Sequence, residues 1–249
     1  MSEVIEGPWL RRPPQSLFHY VSLRTEAHLD RLERLLLRDE LYVRSLVDLN
    51  PVFDRRTMEF NPWYVEPGWS PSGMPGPERS GPPRDASPGA TGDRLETLGI
   101  VCLSEHQDSA SVWRNHGDRQ RGACLRVATT AAFVDRTRLL PVHYGPHDAF
   151  PAMPAGRDRG GLAEAIPGVL TKPAGWEDEA EWRWLLPGRA ATQMEIDPTL
   201  IDGVVLGPLM PAGLRERILK LVSQRCAPTA VYQTRTDPDT MRVIVAPVA

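Results

Sequence analysis

The chain has 249 residues, 29 basic and 32 acidic side chains, and a formal net charge of −3. That length suffices for one large domain or two small ones, and the near balance of charge excludes bulk attraction to nucleic acid or to an anionic membrane. Three separated cysteines without C-x-x-C spacing favour reduced thiols over a disulfide frame or a zinc site, and no apolar run is long enough to span a membrane. These features, and a start without a signal-peptide core, predict a cytoplasmic protein with no membrane contact.

The chain opens with residues 1–15, which contain a proline-broken run and are expected to form a flexible N-terminus. Residues 17–21 (L-F-H-Y-V) are aromatic and β-branched and predict a strand. Leucines at positions 29, 32, 35 and 36 then fall on one stripe of a helix, for which Ser22 or Thr25 can serve as the N-cap. Residues 41–45 predict a second strand.

The composition changes sharply in the segment 61–94. Residues 61–92 contain eight prolines and six glycines and show no sustained apolar period. Such a segment buries too little surface to offset its ordering entropy, so it is predicted to be a flexible insertion.

Strands dominate the predicted elements after this insertion. An apolar run at 98–104 indicates a central strand ending in Ser104, and a short helix at 109–116 carries Trp113. The remaining predicted strands are 122–127, 139–144, 172–184, 201–206, 230–233 and 241–246. A helix is predicted between the strands 201–206 and 230–233, from the apolar spacing of Leu214, Ile218, Leu221 and Val222. Because the strands outnumber the helices and cluster, the sequence predicts a single α+β domain over residues 16–249 rather than a doubly wound sheet.

The stretch 172–184 (K-P-A-G-W-E-D-E-A-E-W-R-W) is the most distinctive in the chain. Under the period of a strand, Glu179, Glu181 and Arg183 share one face, while Trp182 and Trp184 share the other. Two carboxylates and a guanidinium on one face predict either a functional site or an ion network between strands.

Several common catalytic motifs do not occur: there is no H-E-x-x-H, Walker loop, G-x-G-x-x-G or G-x-S-x-G sequence. His143 and His147 have the spacing of a helical metal pair, but Gly145 and Pro146 between them oppose a helix. No metal site is therefore predicted.

These segments together resemble the bacterial domain-of-unknown-function family 2971, whose members carry a Y-H-Y-[ST]-S opening, an N-D-P turn, a C-[FL]-S strand end, a G-x-C stretch and a final W-x-x-E-x-E-W-R. The resemblance spans residues 17–245. The chain departs from the pattern in lacking the aspartate of the turn, in having His116 where tyrosine is common, and in its proline-rich insertion. The matching residues are Phe18, His19, Tyr20, Ser22, Asn50, Pro51, Phe53, Asp54, Cys102, Leu103, Ser104, Trp113, Gly122, Cys124, Lys172, Trp176, Glu179, Glu181, Trp182 and Arg183.

The order of a histidine, a serine and a glutamate-x-glutamate along the chain is similar to that of the ADP-ribosyltransferase fold. This resemblance implies a mixed, mostly antiparallel split β-sheet core with flanking helices, and an enzyme that cleaves the nicotinamide–ribose bond of NAD and transfers ADP-ribose to a macromolecular acceptor, as in toxins or phage-defence proteins. It implies Glu181 as the catalytic glutamate and Glu179 as the acceptor-side one. The residues implied to bind NAD are His19, Tyr20, Ser104, Trp113 and Arg183.

Two other functions remain open from the sequence. One is a non-enzymatic module that binds a nucleotide or a protein and uses the carboxylates only structurally. The other is a metal-dependent nuclease or nucleotide hydrolase, for which Asp54 or Asp108 would have to complete the ligand set. Each predicted site residue also has an ordinary structural role open to it: His19 and Trp113 in the core, and Ser104 as a cap at the strand end.

Overall fold

The computed structural model describes residues 11–46, 95–145, 169–240 and 242–248. The predicted insertion at 61–94, the turn residues Asn50, Pro51, Phe53 and Asp54, and positions 1–10 of the N-terminal segment lie outside the described residues.

Twelve strands and four α-helices lie entirely within the described ranges. The helices are α1 (Glu26–Arg38), α2 (Ala110–Asn115), α3 (Ala131–Arg136) and α4 (Ala212–Ser223), and two 3-10 helices cover Ala174–Glu179 and Pro198–Leu200. The strands are β1 (Ser16–Val21), β2 (Glu40–Ser45), β3 (Gly99–Ser104), β4 (Ala123–Ala128), β5 (Arg138–Pro141), β6 (His143–Tyr144), β7 (Thr171–Lys172), β8 (Glu181–Leu186), β9 (Thr192–Glu195), β10 (Ile201–Leu206), β11 (Ala230–Thr236) and β12 (Val243–Pro247).

Ten strands form one sheet, ordered β12-β11-β10-β4-β1-β3-β2-β9, with β8 paired to β3 and β5 paired to β8. Its neighbours are antiparallel except β10 and β11. Strands β6 and β7 form a separate parallel pair. The predicted α+β class with a mostly antiparallel sheet is therefore confirmed.

The sheet is split along one edge of β3. The other edge pairs with β8 over the full length of β3, Gly99 to Ser104. The split edge pairs with β1 only at Ser104 and with β2 only at Gly99 and Ile100. Strands β1 and β2 thus leave opposite ends of β3 and diverge. Between them, Nδ1 of His19 makes a 2.8 Å hydrogen bond with the Cys102 carbonyl oxygen, which lies on the unpaired middle of β3.

Helix α1 forms where its leucine stripe and N-cap predict it. The Thr25 side chain accepts a hydrogen bond from the His28 backbone N–H at the start, and Asp39 in the left-handed region, at φ 55°, ends the helix. Leu32, Leu35 and Leu36 are buried against the sheet. None of the helices in the described ranges is long and apolar enough to cross a membrane.

The two faces of the sheet carry different cores. The face under α1 and α4 is aliphatic with two tryptophans, and includes Leu17, Leu103 and Trp182. On the other face, Phe18, Tyr20 and Trp113 pack with Cys124. Tyr20 and Trp113 meet edge to face with ring centroids 4.9 Å apart.

The prediction of one strand over 172–184 is wrong. Strand β7 ends at Lys172, Ala174–Glu179 is a 3-10 helix, and Ala180 adopts the left-handed conformation with φ 41° before β8 begins at Glu181. The predicted strand at 139–144 is likewise divided, because β5 ends at Pro141 and β6 begins at His143.

Gly122 is a tight packing position at the start of β4. A Cβ there would overlap the carbonyl oxygen of Val21 and approach that of Gly117 to 3.0 Å. We therefore expect Gly122→Ala to lower the free energy of unfolding by about 2 kcal/mol, measured by urea denaturation. Gly175→Ala, where the added Cβ meets nothing within 4 Å, is the matched control. Equal stability of the two variants would contradict the packing described here.

Candidate functional site

Lys172 lies between the two predicted catalytic carboxylates. Its Nζ forms an ion pair with Glu181 Oε2 at 2.7 Å and a second, very short one with Glu179 Oε2. Glu179 and Glu181 are only 6% and 5% exposed, and Lys172 is 20% exposed. One partly covered ammonium therefore neutralises part of the charge of two buried carboxylates.

Arg183 holds Glu181 from its own strand. Residues two apart on a strand share a face, and the Arg183 guanidinium forms a two-point contact with Glu181, Nε to Oε1 at 2.9 Å and Nη2 to Oε2 at 3.2 Å. Its Nη1 also donates to the carbonyl oxygen of Val169. The backbone N–H of Glu181 donates to the Tyr144 hydroxyl at 2.8 Å. The carboxylate and the backbone N–H of Glu181 are therefore both held by hydrogen bonds.

Glu179 reaches this cluster from the end of the 3-10 helix rather than from the strand. The Ser104 hydroxyl donates to the carbonyl oxygen of Glu179 at 2.7 Å and accepts from the His106 N–H at 3.0 Å. In addition, the Glu105 N–H donates to the Ala180 carbonyl oxygen at 3.2 Å. These bonds fasten the left-handed turn to the end of β3, and the turn brings Glu179 back toward Glu181.

His116 forms the accessible end of the cluster. Its Nε2 lies 2.6 Å from Glu179 Oε1, and the histidine side chain is 45% exposed. A carboxylate on one side of an imidazole fixes the ring and supports proton transfer at the other ring nitrogen. We refer to Lys172, Glu179, Glu181, Arg183 and His116 as the carboxylate cluster.

The cluster holds both carboxylates ionised. Burial opposes ionisation of Glu181, but Arg183 and Lys172 outweigh it and lower the pKa of that carboxyl. Burial likewise opposes ionisation of Glu179, and the hydrogen bond from His116 and the charge of Lys172 lower its pKa. Burial lowers the pKa of Lys172, but the charges of both glutamates outweigh it and raise that pKa.

Cys102 lies beside this cluster, opposite Arg183 in the β3–β8 register. Burial, followed by the negative charge of Glu181, raises the pKa of the Cys102 thiol to about 12. The thiol therefore stays protonated at neutral pH, which makes it a poor nucleophile.

The structure brings together Glu179, Glu181 and Arg183, but Glu179 reaches the other two from the 3-10 helix and not through the strand spacing on which the prediction was based. Ser104 is adjacent, but its hydroxyl contacts the backbone of Glu179 rather than open space. Tyr20 and Trp113 are buried. The Tyr20 hydroxyl donates to the carbonyl oxygen of His106, and the Trp113 indole N–H donates to that of Gln107.

His19 does not join the cluster, so the structure does not bring this predicted NAD-binding residue together with Ser104 and Glu181. Phe18 pairs with Ser104, and Ser104 pairs with Glu181, so these three side chains project from one face. His19, one residue on, projects from the other face, where it lines a small cavity with Leu103 and Trp184. Burial lowers its pKa to about 4, so its ring is neutral at pH 7.

Sequence reasoning assigned no role to Lys172, His116 or Tyr144. Lys172 was part of the matching pattern, and His116 appeared only as a departure from it. Their contacts with Glu179 and Glu181 span 7, 63 and 37 residues along the chain. Local spacing carries no signal for the two longer contacts.

No family model matches the chain, and neither a curated protein nor a solved structure does. In the described part of the chain, no group of three or more His, Cys, Asp or Glu side chains could hold a metal ion. Asp54, one proposed metal ligand, lies outside the described residues.

Removal of Lys172 tests the electrostatics of the cluster. We expect Lys172→Met to lower the free energy of unfolding at pH 7 by about 3 kcal/mol, because two buried carboxylates then repel each other with less compensation. The other lysine, Lys220, is exposed on α4, and Lys220→Met is the control.

The loss of unfolding free energy in Lys172→Met should depend on pH. In the native protein the pKa values of both glutamates are lowered, so their stabilisation is present above about pH 4.5 and is lost as the pH falls. In Lys172→Met the repulsion raises those pKa values, so the difference from wild type should be largest at pH 7 and shrink toward pH 4.5. Urea denaturation at several pH values measures this, and a pH-independent difference would contradict the assignment.

Proposed function

We propose that this chain is an NAD-dependent enzyme of the ADP-ribosyltransferase type, which cleaves the nicotinamide–ribose bond and transfers ADP-ribose to a macromolecular acceptor. The observation that carries the proposal is the pair of buried, ionised carboxylates with a half-exposed histidine at one end. The mostly antiparallel sheet, split along one edge of β3, supports an ADP-ribosyltransferase-like fold.

The chemistry requires a fixed negative charge. Loss of nicotinamide leaves a ribose with oxocarbenium character, and a carboxylate that is already oriented stabilises this charge without reorganising as it forms. The ion pairs to Lys172 and Arg183 keep the carboxylates ionised and in place. NAD is then the substrate, and no metal takes part in the proposed reaction.

The contacts favour a division of roles between the two glutamates that differs from the one implied by the resemblance. A carboxylate has about four acceptor positions. Glu181 accepts two hydrogen bonds from Arg183 and forms an ion pair with Lys172, and its side chain is 5% exposed. Among the described residues, Glu179 accepts from His116 and Lys172, and the half-exposed His116 beside it gives a substrate hydroxyl an approach from solvent. We assign Glu179 the contact with the ribose and Glu181 the anchoring of Lys172.

His116 completes the assignment. With Nε2 hydrogen-bonded to Glu179 and the side chain 45% exposed, the ring can take a proton from the acceptor group at Nδ1. The acceptor would approach from the solvent side, where His116 is 45% exposed.

One observation favours the non-enzymatic alternative. Lys172 and Arg183 balance the charges of Glu179 and Glu181 within the cluster, and all four side chains are at least 80% covered. A self-compensating ion network of this kind can exist purely to fix the turn at Ala180 to β3. Under this alternative the protein binds a nucleotide or a protein partner without turnover.

Nicotinamide release from NAD separates these functions. The assay uses purified protein with a cell lysate as the acceptor source and a chelator present. We expect release by the wild-type protein, a loss of about 10²-fold or more in Glu179→Gln, and a similar loss in His116→Asn, whose exposed side chain makes a folding defect small.

Glu177→Gln provides the matched control, because Glu177 is exposed on the same 3-10 helix. It should release nicotinamide at the wild-type rate. If the wild-type protein neither turns over nor binds NAD, the binding-module function replaces the transferase. Activity that disappears with chelator would instead indicate the metal-dependent hydrolase.

A further inference from the structure

A second polar site lies next to α1, in the wedge where β1 and β2 diverge. A small cavity of ≈ 40 Å³ is present there. Its polar lining residues are His19, Ser22, His28, Arg31, Tyr42 and Arg44. None of the residues that line this cavity belongs to the carboxylate cluster.

The cavity carries positive charge without a matching acid. Arg31 and Arg44 are both partly buried, and neither ion-pairs with a carboxylate in the part of the chain that the structure describes. The Arg31 guanidinium stacks on the Tyr42 ring at 3.5 Å. A partly buried guanidinium without an anionic partner is costly, since it loses hydration and gains no compensating charge.

His28 adds an unsatisfied nitrogen to the same place. Its Nδ1 is buried and has no hydrogen-bond partner among the residues that the structure describes. His28 lies in the first turn of α1, where its backbone N–H donates to the Thr25 hydroxyl. Buried polar atoms are nearly always hydrogen-bonded, so an orphan nitrogen in a cavity points to a missing partner.

The charges around His28 are mainly positive. Burial, and then the charges of Arg31 and Arg44, lower its pKa, with a smaller contribution from Arg24. Asp118 acts in the opposite direction, but this carboxylate is already bound to Arg24 at 3.0 Å.

We propose that this cavity binds a phosphate-class anion, with Arg31, Arg44 and the ring of His28 as the donors. The cavity holds a few water-sized volumes, which fits one tetrahedral oxyanion and excludes a whole nucleotide. The source of the anion is inorganic phosphate or the terminal phosphate of a nucleotide whose remainder extends out of the wedge. The proposal does not depend on the transferase function, since it involves none of the carboxylate cluster.

Titration with inorganic phosphate, followed by the NMR signals of the His28 ring, tests the site. We expect saturable shifts of His28 and a rise in its pKa, because the bound anion offsets the charges of Arg31 and Arg44. Arg44→Gln and Arg31→Gln should each weaken the affinity about tenfold or more, as expected for loss of a charge-assisted hydrogen bond. Arg38→Gln, an exposed arginine at the end of the same helix, should leave the affinity unchanged.

A parallel titration with AMP and with adenosine identifies the source. If AMP binds more tightly than phosphate and adenosine does not bind, the natural ligand is a nucleotide phosphate. If AMP and phosphate bind with equal affinity, the natural ligand is the free anion. Either result supports the site. The proposal is overturned if phosphate and AMP leave the His28 signals unmoved in the folded protein. It is also overturned if Arg38→Gln weakens binding as much as Arg44→Gln, because the attraction would then be unspecific.

Discussion

The ion pairs of Lys172 hold the candidate site together. Two carboxylate oxygens that share one ammonium lie roughly 5 Å apart, and at an effective dielectric constant of about 20 two such charges repel by about 3 kcal/mol. Lys172 and Arg183 offset this repulsion. Their positive charges are needed because the hydrogen bonds of Ser104 and Glu105 to the turn hold Glu179 close to Glu181. The turn, the end of β3 and the start of β8 are thereby fixed as one unit. Removing the ammonium would leave the native backbone holding two like charges together.

Local patterns were enough for much of the fold. The leucine stripe and Thr25 predicted α1, and the apolar run ending in Ser104 predicted β3. The period-two interpretation of 172–184 failed where Pro173 and Gly175 begin a 3-10 helix and Ala180 turns left-handed. Glu179 still arrives beside Glu181, but through a turn fastened by a serine 75 residues earlier in the chain. That contact depends on which strands pair, and spacing within the segment contains no information about it.

The order of residues along a chain also does not determine the face from which they project. His19, Ser104 and Glu181 follow the predicted order, yet the register of β1 on β3 assigns His19 to the α1 face. The split edge of β3 explains why two polar sites arise. On one face, the turn before β8 brings Glu179 and Glu181 into contact with Lys172 and Arg183, and the opposite charges neutralise one another. In the wedge between β1 and β2, Arg31 of α1 and Arg44 of β2 lie without an ion pair to any acid in the described ranges.

The central claim is that the carboxylate cluster exists for chemistry rather than for stability. Buried ion networks can often be replaced by apolar side chains of similar volume without loss of stability. The variant Lys172→Met, Glu179→Gln, Glu181→Leu, Arg183→Met applies this to the cluster and removes the carboxylate that is assigned to the ribose. The deciding measurement is the rate of nicotinamide release from NAD by this variant after its native unfolding transition has been verified. The account predicts that the folded variant loses the activity of the wild-type protein, whereas release at the wild-type rate would contradict it.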